Sequence, residues 1–259
     1  MRLTLSGVKG GVGKSTLAVS IAKLLARNGD TVLLVDRDII GWSSRLLGHE
    51  GPSLLHCAAS GEEGQFWVTR EEGKGRLTAV RINPDPPLFV KDFKVIKEDP
   101  SRFNRYVKLY EALLRNHEIV VVDNPPNVFQ GDEAVDLEHR AFTNLRRDER
   151  WYRVYVSDPS ERGISAVLQY MEVLESFTET GRPGALVVNM VPPLPEEAAR
   201  ASSSLRRVCA EKSLPVCAVV PFDERLYTYG SYMELNEFPE QVIALSKALV
   251  RLPEKALIE

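Results

Sequence analysis

A glycine-rich segment near the start of the chain constrains its fold more than any other feature. It reads Val8-Lys9-Gly10-Gly11-Val12-Gly13-Lys14-Ser15-Thr16. The segment lies between a short apolar strand, 3–5, and a helix predicted to begin near Gly13. Glycines let successive backbone N–H groups converge on phosphate oxygens, and the helix N-terminus adds partial positive charge. We therefore predict a nucleoside triphosphate site, in which Lys14 reaches the β- and γ-phosphates and Ser15 ligates Mg²⁺. A glycine turn that binds nothing is disfavoured, because strand, turn and helix follow in the order that the motif requires.

The spacing of this segment departs from the common P-loop. The common pattern has glycine five residues before the Gly-Lys pair, where this chain has Val8, and it has no lysine at the position of Lys9. The segment resembles the deviant Walker A motif of the ParA/MinD-type ATPases. The resemblance implies that ATP is the nucleotide and that Lys9 reaches across a homodimer interface to the partner's phosphates. The residues that it assigns to the nucleotide are Gly10, Gly11, Val12, Gly13, Lys14, Ser15 and Thr16.

Length and composition are those of an ordinary globular protein. The chain has 259 residues, of which 44% are hydrophobic and 27% charged, and a net charge of −3. We expect a single domain over 1–259, since no linker or repeat interrupts the sequence. No apolar run approaches the ~20 residues of a membrane span, and the first residues already form a strand rather than a signal peptide. These features lead us to expect a cytoplasmic protein.

Three cysteines are widely spaced and form no Cys-x-x-Cys motif. They are Cys57, Cys209 and Cys217. We interpret all three as buried, inert thiols, which fits a reducing compartment and argues against a metal cluster within one chain. A cysteine shared across a dimer axis remains the alternative.

Apolar β-branched runs alternate with helical periodicity along the chain. The predicted strands are 3–6, 31–35, 76–82, 119–122, 153–157, 185–189 and 216–220. The predicted helices are 14–28, 101–116, 132–147, 160–177, 196–212 and 239–249. This alternation predicts an α/β fold with a doubly wound, mostly parallel sheet flanked by helices. Residues 48–75 and 83–100, rich in glycine and proline, are expected to be loops with short helices.

Acidic residues end two of the predicted strands. Asp36 and Asp38 follow one, with Arg37 between them, and Asp123 follows another. Carboxyl ends of parallel strands meet at one edge of the sheet, so these acids are expected to face the glycine segment. A strand-end aspartate such as Asp36 can instead cap the next helix. Arg37 is interpreted as a solvated surface residue, with a phosphate or partner contact as alternatives.

The resemblance gives these acids separate roles. Asp38 matches the acid that orients the attacking water, Asp36 lies nearer the water shell of the metal, and Asp123 holds a Mg²⁺-bound water. Prolines 125 and 126 then stiffen a turn that senses the γ-phosphate. The family often has glycine or serine after these prolines, whereas this chain has Asn127, which puts the motion of the turn and the hydrolysis rate in question.

Two further strand ends resemble the family's base-binding positions. An asparagine there contacts the adenine edge, because its side chain offers both a donor and an acceptor. The candidates are Asn189, Pro221, Phe222 and Asp223. For Asn189 a simple turn-forming role is the alternative.

The biological output is less constrained by the sequence. A ParA-like partitioning ATPase fits best, with an activating partner protein and with nonspecific DNA contacts through one of two basic stretches. The first stretch is Arg140, Arg146, Arg147 and Arg150, and the second is Arg200, Arg206, Arg207 and Lys212. Either can also be a solvated face with ion pairs to neighbouring acids.

Three alternatives stay open. A MinD-like positioning ATPase is disfavoured because Pro253 and nearby acids make residues 249–259 a poor membrane anchor. A metal-cofactor insertion ATPase is disfavoured by the lack of paired cysteines. An ATP-dependent ligase of the dethiobiotin-synthetase or cobyrinate-amidating type is disfavoured by Lys9.

Overall fold

The computed structural model describes residues 1–228, 232, 234–252 and 256–259. The strands are β1 (Arg2–Ser6), β2 (Thr31–Asp36), β3 (Trp67–Glu72), β4 (Gly75–Arg81), β5 (Ile119–Asp123), β6 (Trp151–Ser157), β7 (Arg182–Val191), β8 (Val216–Pro221) and β9 (Ala256–Ile258). The helices are α1 (Lys14–Arg27), α2 (Trp42–Leu46), α3 (Leu54–Ser60), α4 (Pro86–Glu98), α5 (Pro100–Leu114), α6 (Glu133–Leu145), α7 (Glu161–Phe177), α8 (Pro195–Lys212), α9 (Glu224–Thr228) and α10 (Glu240–Arg251).

Within the described residues, the strands form one nine-stranded sheet in the order β3-β4-β2-β5-β1-β6-β7-β8-β9. All neighbouring pairs are parallel except β3 and β4. The predicted doubly wound, mostly parallel sheet is confirmed. Parallel strands require helical crossovers on both faces, so the central strands are buried on both sides.

Alternate residues of the central strands pack against different helices. Val32 and Leu34 join the core beneath α1 and α10, whereas Leu33 and Val35 join the core beneath α3 to α6. A third cluster lies beneath α7 and α8. Because these strands are parallel, the carboxyl ends of β1, β2, β5, β7 and β8 lie at one edge of the sheet. Ligands bind at this edge in such sheets.

The two segments expected to be loops hold more structure than predicted. Residues 48–75 contain α3 and the edge strand β3, and residues 83–100 contain the 13-residue helix α4. Prolines 86 and 87 lie in the first turn of α4, a position where the missing N–H costs nothing. Pro253, on which the expected break near the end of the chain depends, lies outside the described residues.

The expectation of three inert thiols is wrong for two cysteines. Cys209 and Cys217 form a disulfide that joins α8 to β8, with a Cα–Cα distance of 6.5 Å. The sequence did not reveal this pairing, because the two cysteines are eight residues apart and only the turn after α8 brings them together. Cys57 is a buried thiol, and burial raises its pKa.

Candidate functional site

The glycine segment forms the turn between β1 and α1. Gly11 and Gly13 have φ values of 76° and 84°, in the left-handed region that favours glycine. A Cβ on Gly13 would also collide with the side-chain nitrogen of Asn189. Gly13 precedes the first residue of α1, so the helix begins at Lys14 and its N-terminal amides face the turn.

A cavity of about 370 Å³ opens in front of this turn. Nearly all the predicted nucleotide residues line it, together with the ends of β2, β5, β7 and β8. The lining residues are Gly10, Gly11, Gly13, Lys14, Ser15, Thr16, Leu17, Asp38, Trp42, Asn124, Pro126, Asn189, Met190, Pro221, Phe222, Asp223, Leu226 and Tyr227. Val12 is buried beneath the turn rather than in the lining. The cavity thus has a glycine-rich end and an aromatic end.

Lys14 lies at the glycine-rich end with its ammonium held inward. The side chain is buried, and Nζ donates to the carbonyl oxygen of Lys9 at 3.0 Å. Burial lowers the pKa of Lys14, while the charges of Asp123 and Asp38 act in the opposite direction. The ammonium and the nearby N-terminal amides of α1 are suited to receive an anionic ligand.

Asp36 and Asp123 form a buried acidic pair. They are direct register partners on β2 and β5, and neither is exposed. Burial raises the pKa of both groups, and the nearby charge of Asp36 helps to bring that of Asp123 to about 7. When two carboxylates are buried side by side, a bound cation or a proton is needed to offset their mutual repulsion.

The two acids differ in their remaining contacts. Asp36 accepts from Ser44 N at 2.7 Å and from Asp38 N at 3.2 Å, so it caps the start of α2. Neither carboxylate oxygen of Asp123 accepts a hydrogen bond of good geometry, although the hydroxyls of Ser15 and Ser43 lie near enough to lower its pKa. Orphaned carboxylate oxygens beside a serine hydroxyl are the hard donors that Mg²⁺ takes. Asp123 and Ser15 therefore fit the predicted metal site, and Asp36 also makes the capping contact that the sequence left as an alternative.

Asp38 is half-buried at the wall of the cavity. Its carboxylate accepts from Ile40 N at 2.9 Å, which closes a tight turn before α2. Trp42, the first residue of α2, lies on the same wall. The predicted water-orienting acid is therefore in the cavity, on a segment whose shape depends on its own carboxylate.

Arg37 is not the solvated residue that was expected. It is only 3% exposed and pairs with Glu138 of α6. Its Nη1 donates to Asn124 Oδ1 at 3.0 Å. Since Glu138 is 101 residues away in the chain, no local pattern reveals this burial.

The turn after Asp123 has an unusual backbone. Asn127 has φ 54°, and its N–H donates to the carbonyl oxygen of Gly7 at 2.8 Å. Asparagine tolerates the left-handed region better than other residues with a side chain. Asn127 therefore occupies the conformation that glycine, frequent in the family here, adopts without cost.

Lys9 does not line the cavity. Its Nζ pairs with Asp158 Oδ2 at 3.0 Å, and the side chains are 49% and 25% exposed. Asp158 follows β6 and also accepts from Ser160 N at 2.9 Å. Burial raises the pKa of Asp158, but hydrogen bonds from Ser160 and Lys9 outweigh it and lower the pKa. The sequence did not identify Asp158 as the partner of Lys9, because the only sign of a role for Asp158 is its position at a strand end.

The aromatic end of the cavity is built from β7 and β8. Asn189 is buried, and its Nδ2 donates to Val12 O at 2.9 Å, so the residue also supports the glycine turn. The ring of Phe222 packs at a tilt against that of Tyr227, with ring centroids 5.6 Å apart. Asp223 is paired with Arg225 at 2.6 Å, which lowers its pKa.

Two cavity residues at this end were missed by the sequence. Met190 has φ 60°, an uncommon backbone for a residue with a side chain, and Tyr227 is 70% exposed. Neither belongs to a motif, and only proximity in the fold brings them to the cavity.

The two basic stretches are largely ion-paired. Arg140 pairs with Asp136, Arg146 with Glu149, Arg200 with Glu197, Arg206 with Glu259, and Lys212 with Glu172. Arg147, Arg150 and Arg207 are exposed. The solvated-face alternative thus describes most of these side chains.

The sequence from residue 3 to residue 235 matches the CobQ/CobB/MinD/ParA nucleotide binding domain. The chain belongs to this family. Within the part of the chain that the structure describes, no helix combines the length and the apolar composition needed to cross a membrane.

Individual relatives of this CobQ/CobB/MinD/ParA domain differ in their described roles. The chain is 29% identical over 187 residues to a cytosolic Fe–S cluster assembly factor Nubp2 homolog of Drosophila simulans, covering 72% of this chain and 55% of that protein. It is 51% identical over 128 residues to the chromosome-partitioning ATPase Soj of Thermus thermophilus, covering 49% and 47%. The chain thus spans about half the length of the curated relatives that it matches.

Solved structures of this domain share the fold at low identity. A Cyanothece McdA variant in complex with ATP has a TM-score of 0.67 and 16% identity, covering 96% of both chains. Cobyrinic acid a,c-diamide synthase of Mycobacterium smegmatis, with an ATP analogue and magnesium, has a TM-score of 0.62 and 18% identity, covering 96% of this chain and 94% of that chain. These similarities support the fold.

Proposed function

We propose that this chain is an ATP-hydrolysing switch of the ParA/MinD type, which forms a homodimer when it binds ATP and Mg²⁺ and separates after hydrolysis. The single observation that carries the proposal is the cavity that Lys14, Ser15 and Asp38 line beside the glycine turn, with the orphaned carboxylate of Asp123 buried next to Lys14 and Ser15. Such a set, with Mg²⁺ bound, would place positive charge against a triphosphate and position a water molecule, which is most of what phosphoryl transfer requires.

Each residue has a separate task in this proposal. The turn amides and Lys14 bind the phosphates, and Asp38 orients the attacking water. Ser15 and Asp123 would hold a Mg²⁺ ion, with Asp36 nearer its water shell, and the ion would supply positive charge for the phosphates. Asn189, Pro221, Phe222 and Asp223 receive the adenine at the aromatic end.

The ion pair of Lys9 bears on the proposed dimer. To reach a partner's nucleotide, Lys9 must leave Asp158, and a partly exposed pair of this kind contributes about 1 kcal/mol or less. The phosphates of a nucleotide bound to a second copy of the chain carry more negative charge than the single carboxylate of Asp158, so they attract Lys9 more strongly. The pair is therefore a weak barrier to dimer formation.

Three variants test this proposal. Lys14→Ala is expected to lose binding of a fluorescent ATP analogue. Lys9→Ala is expected to keep that binding but to lose the ATP-dependent dimer measured by light scattering. Asp38→Ala is expected to accumulate as an ATP-bound dimer with little phosphate release.

The control is Lys94→Ala, which removes an exposed lysine on α4, remote from the cavity. Unchanged ATP affinity in Lys14→Ala would contradict the nucleotide site. Rapid turnover in Asp38→Ala would assign the water to another residue. An ATP dimer in Lys9→Ala would contradict the trans role of Lys9.

The output that we propose is the partitioning of DNA or another cargo, with a partner protein that stimulates hydrolysis. The Soj relative and the exposed Arg147, Arg150 and Arg207 support it. Binding to duplex DNA is expected with ATP and not with ADP, and it is expected to weaken steeply with salt. An Arg147→Ala/Arg150→Ala variant and an Arg207→Ala variant then separate the two surfaces.

The Nubp2 relatives favour a second candidate output, assembly of a metal cofactor. Cys57 is buried, and Cys209 and Cys217 are joined in the disulfide, so no described thiol is presented to a metal. Stoichiometric iron and sulfide retained after reconstitution, with no DNA binding in either nucleotide state, would favour this second output over partitioning.

A further inference from the structure

A buried group of charged side chains lies behind the cavity. Arg2 and Glu138 are almost wholly buried, and Arg37 is 3% exposed. Glu138 takes a bidentate pair from Arg2, at 2.8 Å for each bond, and also accepts from Arg37 and from the hydroxyl of Tyr110. One carboxylate therefore pairs with two guanidinium groups, and their positive charges lower the pKa of Glu138 against the effect of burial.

Arg37 is bound to the last residue of β5 and to the residue after it by two separate hydrogen bonds. Its backbone N–H donates to Asp123 O at 3.0 Å, and its Nη1 donates to Asn124 Oδ1 at 3.0 Å. Its own carbonyl accepts from Asn83 Nδ2 at 2.7 Å. Since Arg37 directly precedes Asp38, this residue joins the loop of the proposed water-orienting acid to the loop of the proposed metal-binding acid.

The surroundings keep the Arg37 side chain in one position. Arg2, which shares Glu138 with it, lies between aromatic rings, 4.1 Å from the centroid of Phe142 and 4.4 Å from that of Trp151. Breaking a buried pair of this kind leaves an uncompensated charge, which strongly disfavours other positions of the guanidinium. Arg37 is therefore a fixed point, around which the two flanking loops are the parts free to respond to a ligand.

We propose that Arg37 is a positioning residue that couples the two loops, so that residues 38–42 and 124–127 respond together when nucleotide binds. This inference rests on the proposed ATPase function. Arg37 lines no part of the cavity; it acts through Asn124, which does, and through the backbone that carries Asp38. A change sensed at Pro126 is then passed to the position of Asp38.

The first test is a double-mutant comparison. Arg37→Lys keeps the charge beside Glu138 but cannot also reach Asn124, because an ammonium has no planar fork. We expect kcat for ATP to fall roughly tenfold, the worth of one hydrogen bond to a charged group, with KM changed less than about twofold. In an Asn124→Ala background the same substitution is expected to change kcat less than about twofold.

Arg2→Lys is the matched control, since it weakens the same carboxylate pair but contacts neither loop. It is expected to lower the thermal midpoint as much as Arg37→Lys does, while kcat stays within about twofold of the wild type. An equal loss of kcat in both variants would overturn the proposal, because the effect would then come from general destabilisation. A full tenfold loss in the Asn124→Ala background would overturn it as well.

A second readout needs nucleotide binding but no turnover. With ADP and Mg²⁺, amide hydrogen exchange in the wild type is expected to slow in peptides that cover residues 38–42 and 124–127 together. In Arg37→Lys we expect slowing in only one of the two segments, and slowing in both would refute the coupling. If the wild type binds nucleotide but hydrolyses no ATP, the proposed function fails while this comparison still decides the role of Arg37.

Discussion

His139, buried beside the charged group behind the cavity, makes the stability of this protein depend on pH. The ring lies on α6, is 9% exposed and packs 5.2 Å from Trp151. Burial lowers its pKa, the positive charges of Arg37 and Arg2 lower it further, and the resulting value is about 4. The perturbation that we consider is His139→Phe, which keeps an aromatic ring against Trp151 but removes the titrating group.

The sign follows from the two pKa values. In the unfolded chain histidine titrates near 6.5, so between about pH 6.5 and 4 the unfolded state binds a proton that the folded state does not. The stabilisation is therefore fully present above pH 6.5 and is lost as the pH falls toward 4. A shift of about 2.5 units corresponds to about 3 kcal/mol in total, of which about 2 kcal/mol is lost by pH 5.

The assay is urea unfolding at pH 7 and pH 5, followed by tryptophan fluorescence. The free energy of unfolding of the wild type is expected to fall by about 2 kcal/mol more than that of His139→Phe over this interval. Taking the difference between the two proteins removes the contribution of other titrating groups. Equal losses in both proteins would refute the argument and would mean that His139 is already protonated, or solvated, in the folded state.

Three further predictions concern local structure. Asn127→Ala should lower the free energy of unfolding by about 1 kcal/mol, because asparagine tolerates the left-handed region at φ 54° better than alanine does, whereas Asn127→Gly should be tolerated; circular dichroism melts of the two variants will show the order. Tyr110→Phe should cost about 1–3 kcal/mol in urea unfolding, since it removes a buried hydrogen bond to Glu138; a smaller loss would mean that water replaces the hydroxyl. Peptide mapping without reductant should recover Cys209 linked to Cys217, and reduction should lower the thermal midpoint by the equivalent of about 2–3 kcal/mol.

The parallel core and the glycine turn could be predicted because their signals are local. Strands buried on both faces are continuous apolar runs, such as Ile119–Asp123, and the turn is encoded in consecutive residues. The edge strand Trp67–Glu72 escaped prediction because half of it is polar and exposed, and only antiparallel pairing with β4 makes it a strand. Its composition resembles that of a loop, so no sequence window reveals it.

The parts of the site that escaped prediction depend on distant partners. The burial of Arg37 is decided by Glu138 and Asn124, which belong to other elements, and its charged type alone suggests solvent. Asp158 is likewise identified only by Lys9, 149 residues earlier in the chain. Motifs identify the groups that meet a ligand, whereas the groups that hold those residues in place are revealed only by the fold.

Asn189 serves both ends of the cavity, because the residue expected to meet the base also donates to the carbonyl oxygen of Val12 in the phosphate-binding turn. A substitution at Asn189 that alters the preference between adenine and guanine should therefore also weaken phosphate binding. Selectivity for the base and affinity for the nucleotide are not independent variables at this position. We expect changes in base preference to arise more readily at Phe222 and Tyr227, which contact each other at the aromatic end and leave the turn untouched.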